Sequence, residues 1–213
     1  MDTGVDARLA LLISRRSVAP KRLAGPGPSA AEIDAMLAAA LRAPDHGRLT
    51  PWRVIAFAAA QRPALADLFE AEKRRRDPLM SDDDIARARG HATVPPALLA
   101  FVVCPRRTSA VPMREQWLAA GAALGNLLNA AHALGYGAIM LSGDRCHDAA
   151  LTGALGITGD EVLAGFVSIG RIAKLPPPAE SPDPAAVLTS WRGPPEPSST
   201  PENATTPGLP GSS

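Results

Sequence analysis

Only two of the 213 residues are cysteine and one is tyrosine, and aromatic side chains together make up 4% of the chain. Two thiols, Cys104 and Cys146, cannot build the dense disulfide framework of a small secreted domain. Two unpaired thiols in a reducing compartment are expected, with a single bridge between them as the alternative. Scarce rings mean that the core must come from Ala, Leu, Val and Ile. No uninterrupted apolar run reaches the roughly 20 residues that span a bilayer, so no membrane partner is expected. Excess charge is missing as well: 22 Lys and Arg against 21 Asp and Glu leave a net +1, with no broad field toward nucleic acid. Asp2 stands where a signal peptide carries basic residues, so the expected location is cytoplasmic.

Several motifs are absent. There is no Gly-x-Gly-x-x-Gly after a strand, no Walker lysine, and no Gly-x-Ser-x-Gly elbow around Ser142. His46, His91, His132 and His147 show no paired ligand spacing, so no metal site is expected. Lys73-Arg74-Arg75-Arg76 is basic but is surrounded by Glu70, Glu72, Asp77 and Asp82 to Asp84. That pattern describes a solvated helix face, not a nucleic-acid contact.

What remains is a globular composition, 46% apolar and 20% charged, in a chain long enough for one sizeable core. Val5, Leu9, Leu12 and Ile13 recur at helical spacing and predict an amphipathic helix that ends at Ser14 to Arg16. Prolines and glycines from Pro20 to Pro28 mark a loop. Ser29 with Glu32 forms a capping-box signature, and Ile33, Met36, Leu37, Ala40 and Leu41 form the buried stripe of a second helix, stopped near Ala43 by Pro44. Val54 to Phe57 predicts a strand, Arg62-Pro63 opens a third helix, and Ser81 with three aspartates starts another short one. Ala97 to Cys104, apolar on both faces, predicts a covered central strand. Arg114 to Leu134 is the longest helix, with Trp117, Gly121, Leu124, Leu128 and Ala131 inward and Gly135 as its stop. Gly137 to Leu141 and Leu163 to Ile169 predict strands, with a helix over 148–155 between them. The pattern is one α+β domain over 1–175. A Pro-, Ser- and Gly-rich tail, 176–213, follows and cannot bury enough apolar surface to order itself; its Trp191 could dock on the domain or on a partner subunit.

Two short stretches hold the chemistry. Arg15-Arg16-Ser17 closes the first helix, either as surface charge at its carbonyl end or as a phosphate clamp of guanidinium forks and a hydroxyl. Arg42-Ala43-Pro44-Asp45-His46 closes the second and runs through Pro51-Trp52 into a strand; Arg42 could equally neutralise its helix end.

In this order the two stretches resemble the opening of the nitroreductase family of flavin enzymes, most closely its small, single-domain branch. The resemblance implies the nitroreductase-like FMN-binding fold, a central, mostly antiparallel sheet flanked by helices. It implies FMN as cofactor and NADH or NADPH as electron donor. A hydride would pass through the flavin in ping-pong fashion to an electron-poor small-molecule acceptor, a nitroaromatic or quinone. It also implies a homodimer with FMN at the subunit interface. By the same resemblance Arg15, Arg16 and Ser17 hold the FMN phosphate and ribityl chain, and Arg42 and His46 lie against the flavin. Met140, Leu141 and Ser142 line the ring, Arg171 and Lys174 meet the phosphate, and Ala130, Ala131, His132, Ala133, Leu134 and Gly135 form an NAD(P)-binding segment. No side chain acts as nucleophile or general base. The branch carries Trp-Arg where this chain has Met140-Leu141. That departure supports an alternative, a catalytically weak flavin-binding protein acting as carrier, sensor or partner. A cofactor-free helical interaction domain is the third reading.

Overall fold

The computed structural model describes residues 6–178 and 182–193. Val5 and the end of the tail, 194–213, lie outside the described residues. The chain divides into two units, Met1–Pro177 and Pro178–Ser213. Over its described residues the second holds one 3-10 turn, Pro184–Val187, opened by Asp183 Oδ1 accepting a hydrogen bond from the Ala185 amide.

In the first unit, helix α1 (Ala7–Ser14) starts where the Asp6 carboxylate accepts a hydrogen bond from the Arg8 amide. Its expected stripe is not buried by the described residues: Leu9, Leu12 and Ile13 are exposed, and the helix buries no residue. The stretch expected as loop contains a two-residue strand, β1 (Leu23–Ala24), too short to show a period. Helix α2 (Ala30–Ala40) carries the complete capping box, with the Ser29 amide donating to Glu32 Oε2 at 2.8 Å and the Glu32 amide to Ser29 Oγ at 3.3 Å. Met36 and Ala40 are buried, whereas Leu41 is exposed because the helix has already ended beneath it.

There follow β2 (Trp52–Ala56), α3 (Arg62–Arg76), α4 (Asp82–Thr93), β3 (Ala97–Val103), α5 (Met113–Ala133), β4 (Gly137–Leu141), α6 (Ala149–Ala154) and β5 (Val162–Ile172). The long strand β5 is the spine of the sheet. Its Ile169 faces Ala97 of β3 on one side and Ala138 of β4 on the other, while Ile172 faces Leu23 of β1. β2 pairs with the free edge of β3, and every one of these pairings is antiparallel.

Helices cover both faces, which explains the unbroken apolar run of β3. Leu99, Phe101 and Val103 join the core beneath α2 and α5, whereas Leu98, Ala100 and Val102 join the core beneath α3, α4 and α6. The inward face of α5 is rotated by about one position from the expected stripe. It buries Gln116, Ala119, Ala120, Ala123, Leu127 and Ala131, while Trp117 is 42% exposed. Hydrogen bonding accounts for the shift: the Gln116 amide accepts from Arg106 N at 2.7 Å and donates to Arg106 O and Val111 O, so a polar side chain sits fully buried at no loss. Cys104 and Cys146 are both free thiols.

Candidate functional site

The chain leaves α1 in extended form, and that exit shapes the site. Arg15 has φ −59° and ψ 130°, Ser17 bridges Ala138 of β4 in parallel, and Val18 N donates to Ala138 O at 3.1 Å. Val18 is buried, which pins the half-buried Arg15 and Arg16 to the outer edge of the sheet. Beyond the bridge the chain bends through a 3-10 turn, Pro20–Arg22, to the C-terminal end of β5, where the Ala173 amide donates to Arg22 O at 2.9 Å and Leu23 pairs with Ile172.

Other expected residues come to the same edge. The Lys174 amide donates to Arg22 O at 3.3 Å, and Arg16 donates to Pro177 O. Ser14 Oγ lies 3.1 Å from His132 Nε2, so the segment Ala130 to Gly135, the last turn of α5 and its exit, abuts the arginine corner. Arg171 lies at the surface and is engaged by the protein itself. It donates to Leu134 O at 3.0 Å, to Gly135 O at 3.3 Å and to Tyr136 Oη at 3.0 Å, with its guanidinium 3.8 Å from the centre of the Tyr136 ring. Arg171 thus caps the carbonyl end of α5 and holds the segment 134–136 in place.

β4 ends at Leu141, and Met140 and Leu141 are half-buried in its final turn toward Ser142. Gly143, at φ 134° and ψ −170°, occupies a region that side-chain-bearing residues avoid, and it swings the chain into a 3-10 turn, Asp144–His147. A cleft opens there. A cavity of about 450 Å³ is lined by Leu141, Ser142, Gly143 and Arg145 together with Arg87 and His91 of α4. A second, of about 620 Å³, is lined by Ala19, Pro20 and Lys21 and again by Arg87 and His91. The two flank one face of α4; Arg15, Arg16, Ser17, Met140, Arg171 and Lys174 line neither. Burial, reinforced by the charges of Arg145 and Lys73, lowers the His91 pKa from its ordinary value and favours the neutral imidazole.

Arg42 and His46 stand apart and line neither cavity. Arg42 is exposed, and His46 Nδ1 lies 2.7 Å from Glu115 Oε2 of α5 with its ring 69% exposed. Their loop is held taut: Arg48 and Thr50 have φ of 50° and 45°, and the Thr50 amide donates to Asp45 Oδ2 at 2.6 Å. Left-handed backbone at a non-glycine costs about 1–3 kcal/mol and concentrates at functional sites.

Sequence reasoning did not single out Lys21, Arg87, His91 or Arg145. No spacing signal marks them, because they line the two cavities only once separate segments of chain have folded beside α4. The thiols are not poised for attack: burial and Glu161 push Cys104 up to about 11, and burial raises Cys146 as well. Among the described residues no cluster of three His, Cys, Asp or Glu could hold a metal ion, and no helix is long and apolar enough to cross a membrane.

Fold and site together define an α+β protein with a cationic corner at the sheet edge beside a cleft. Comparison with known proteins says which: residues 12–171 match the model of the nitroreductase family, and the chain belongs to that family. It is 32% identical over 163 residues to a Haemophilus influenzae protein named "Putative NAD(P)H nitroreductase", covering 76% of this chain and 86% of the relative. An Escherichia coli protein of the same description, YdjA, is 31% identical over the same length and shares. Among solved structures, a nitroreductase-like family protein from Bacillus cereus superposes with a TM-score of 0.73 at 18% identity, covering 91% of this chain and all of the other. A nitroreductase with bound FMN from Desulfitobacterium hafniense gives 0.61 at 21% identity, covering 88% and 99%. These structural likenesses show the fold. The family read from Arg15-Arg16-Ser17 and Arg42 to Trp52 is therefore the family of the chain.

Proposed function

We propose that the chain is an FMN-dependent oxidoreductase that takes a hydride from NADH or NADPH and passes it to an electron-poor small molecule such as a nitroaromatic or quinone. One observation carries the reading: Arg15, Arg16 and Ser17, in a chain of this family, are docked by the Ser17–Ala138 bridge onto the strand whose end opens the cleft. The donor set fits the cofactor. Guanidinium forks, a hydroxyl and the nearby Lys174 suit a phosphate dianion, and the apolar floor of Leu98 and Phe166 suits a flat ring.

FMN, when bound, supplies the two-electron chemistry, accepting hydride from one ligand and yielding it to the next. The protein binds and orients. Arg15, Arg16 and Ser17 hold the phosphate end, and Met140, Leu141 and Ser142 present strand backbone to the ring edge. Arg171 acts by holding the 130–135 segment where a nicotinamide nucleotide passes. Donor and acceptor use the same opening in turn, so the kinetics are ping-pong. Arg42 and His46 reach the flavin of a second copy of the chain. The exposed Leu9, Leu12 and Ile13 of α1, with Trp117 and Leu118 of α5, supply the apolar face for that homodimer.

Purified protein is expected to carry a flavin absorbance spectrum and to oxidise NADH or NADPH with menadione or a nitrofuran. Alanine at both Arg15 and Arg16 is expected to weaken FMN binding by roughly 3–6 kcal/mol, two charge-assisted bonds; unchanged flavin retention on gel filtration refutes the clamp. A second reading rests on Met140 and Leu141, which offer no cation at the end of β4: a flavin-binding protein without turnover. Flavin that dithionite reduces and neither nucleotide does would establish it.

A further inference from the structure

The far wall of the cleft carries a cation that the fold buries and leaves without a hydrogen-bonded acceptor. Arg145, in the turn that follows Gly143, has a side chain only 14% exposed. Its guanidinium stands 4.2 Å from the centre of the Phe69 ring, which fixes the plane of the fork. The nearest carboxylate oxygen, Glu72 Oε2, is 4.0 Å away, beyond hydrogen-bond reach, and is itself buried with no hydrogen-bond partner. Among the described residues Arg145 donates no side-chain hydrogen bond. Its neighbours behave differently: Arg76 is bonded to Glu72 and Asp144, Arg75 to Asp148, Arg87 to Asp84, and Arg89 lies on both Asp67 and Glu70.

A guanidinium cannot shed its charge at any working pH, so burial without a hydrogen-bonded acceptor leaves its desolvation cost only partly offset, by the Phe69 ring and by Glu72 across 4.0 Å. The group faces a cavity whose wall brings four cationic side chains, Lys73, Arg76, Arg87 and Arg145, against two carboxylates, Asp84 and Asp144. Of the four, Lys73 and Arg145 have no hydrogen-bonded acid among the described residues. A planar fork held flat on a ring and opening on such a cavity matches a planar or tetrahedral oxyanion.

We propose that Arg145, assisted by Lys73, forms an oxyanion subsite in the cleft, taking a phosphate or carboxylate group of the ligand that approaches the flavin. The inference rests on the cleft's being the flavin site. The shared chemistry has two sources, the phosphate groups of the nicotinamide donor and an acidic group on the electron acceptor. Arg145 then sets which ligands enter productively, and the subsite makes anionic ligands bind better than neutral ones of the same shape.

The test uses the full-length holoprotein and two variants: Arg145→Met, which keeps an apolar stem on Phe69, and Arg145→Lys, which keeps the charge and loses the fork. Flavin content is read from the absorbance of each purified protein. Calorimetric titration then gives the dissociation constants for NADP+, for 4-nitrobenzoate, and for its neutral counterpart 4-nitrobenzyl alcohol. Arg145→Met is expected to retain flavin and to bind 4-nitrobenzyl alcohol as before, while an anionic probe weakens roughly 10- to 100-fold. Loss on NADP+ assigns the subsite to the donor and loss on 4-nitrobenzoate to the acceptor, with Arg145→Lys recovering part of either. Flavin-bearing variants that bind all three probes as wild type does, or that lose all three by a common factor, overturn the subsite and leave the flavin reading intact. Colourless wild-type protein that binds no added FMN overturns both.

Discussion

The two faces of the sheet are covered by different chemistry. On the α2 and α5 side the helices bring small or aliphatic side chains, Ala119, Ala120, Ala123 and Ala131 with Met36, Ala40 and Leu127, against the strand rings Trp52 and Phe101, stacked at 5.6 Å. On the other side α3 itself brings a ring and two charges into a largely aliphatic core: Phe69 lies edge-on to Phe166 at 4.9 Å, with Arg62 and Glu72 buried on the same helix. Small residues let two helices lie close to the strands and leave no gap. Large rings and guanidinium groups cannot tile a surface so closely, and the cleft opens on their side. Arg62 shows how a charge is tolerated there, because its guanidinium donates to Ala92 O and Pro95 O at 2.6 Å each, meeting carbonyls left free at the end of α4. Arg145 on the same face has no such acceptor.

The sharpest way to break this contrast is to remove the most deeply buried ring on the cleft side. Phe69 is 1% exposed and lies both against Phe166 and under Arg145. Phe69→Ala is expected to cost about 3–5 kcal/mol, transfer energy plus an unfilled cavity, read as a fall in the urea midpoint. A loss under about 1 kcal/mol would mean that the ring is not supporting the cleft face. The opposite change probes the opposite face. Ala120 is fully buried in α5, and Ala120→Leu is expected to cost about 1–3 kcal/mol through overpacking. The contrast fails if enlarging Ala120 is free, since the α5 face would then contain space that close packing excludes.

These two faces were unequally legible in the sequence. The unbroken apolar run over 97–104 disclosed a strand covered on both sides, and Ser29 with Glu32 disclosed the start of α2, because a period or a cap is a local signal. Gln116 was no part of the stripe read for α5, and only the folded loop at Arg106 and Val111 shows its amide fully bonded. Leu9, Leu12 and Ile13 have the spacing of a buried stripe and are exposed among the described residues, because spacing reports an apolar face and not what covers it. For the candidate site, Arg15-Arg16-Ser17 was legible because three consecutive residues carry it. Lys21, Arg87, His91 and Arg145 lie on three separate segments of chain, and their convergence is a product of topology. The tight loop after Arg42 was legible as a motif, but the left-handed backbone at Arg48 and Thr50 was not, since neither residue type announces it.

The smallest expected effect comes from the sheet edge away from the cleft, where a charge cluster is fully partnered. Glu161 accepts from Arg53 Nε at 2.7 Å and Nη2 at 2.8 Å, from the Thr158 amide at 3.1 Å and from Cys104 Sγ at 3.2 Å. The Arg53 guanidinium is the main reason that its carboxyl is held down at about 2, below the ordinary 4.5. The sign follows from linkage: a carboxyl more acidic in the folded than in the unfolded chain stabilises the fold above the ordinary value, and that contribution drains away as pH falls from about 4.5 toward about 2. Cys104, with its pKa raised to about 11, stays a thiol and a donor across this range. Urea midpoints for wild type and Glu161→Gln are therefore expected to differ most near neutral pH and to converge on acidification. A gap that stays constant from neutral pH down through that range would show that geometry alone, and not the carboxylate charge, holds this edge, and Glu161 would then no longer stand as the partnered counterpart of Arg145.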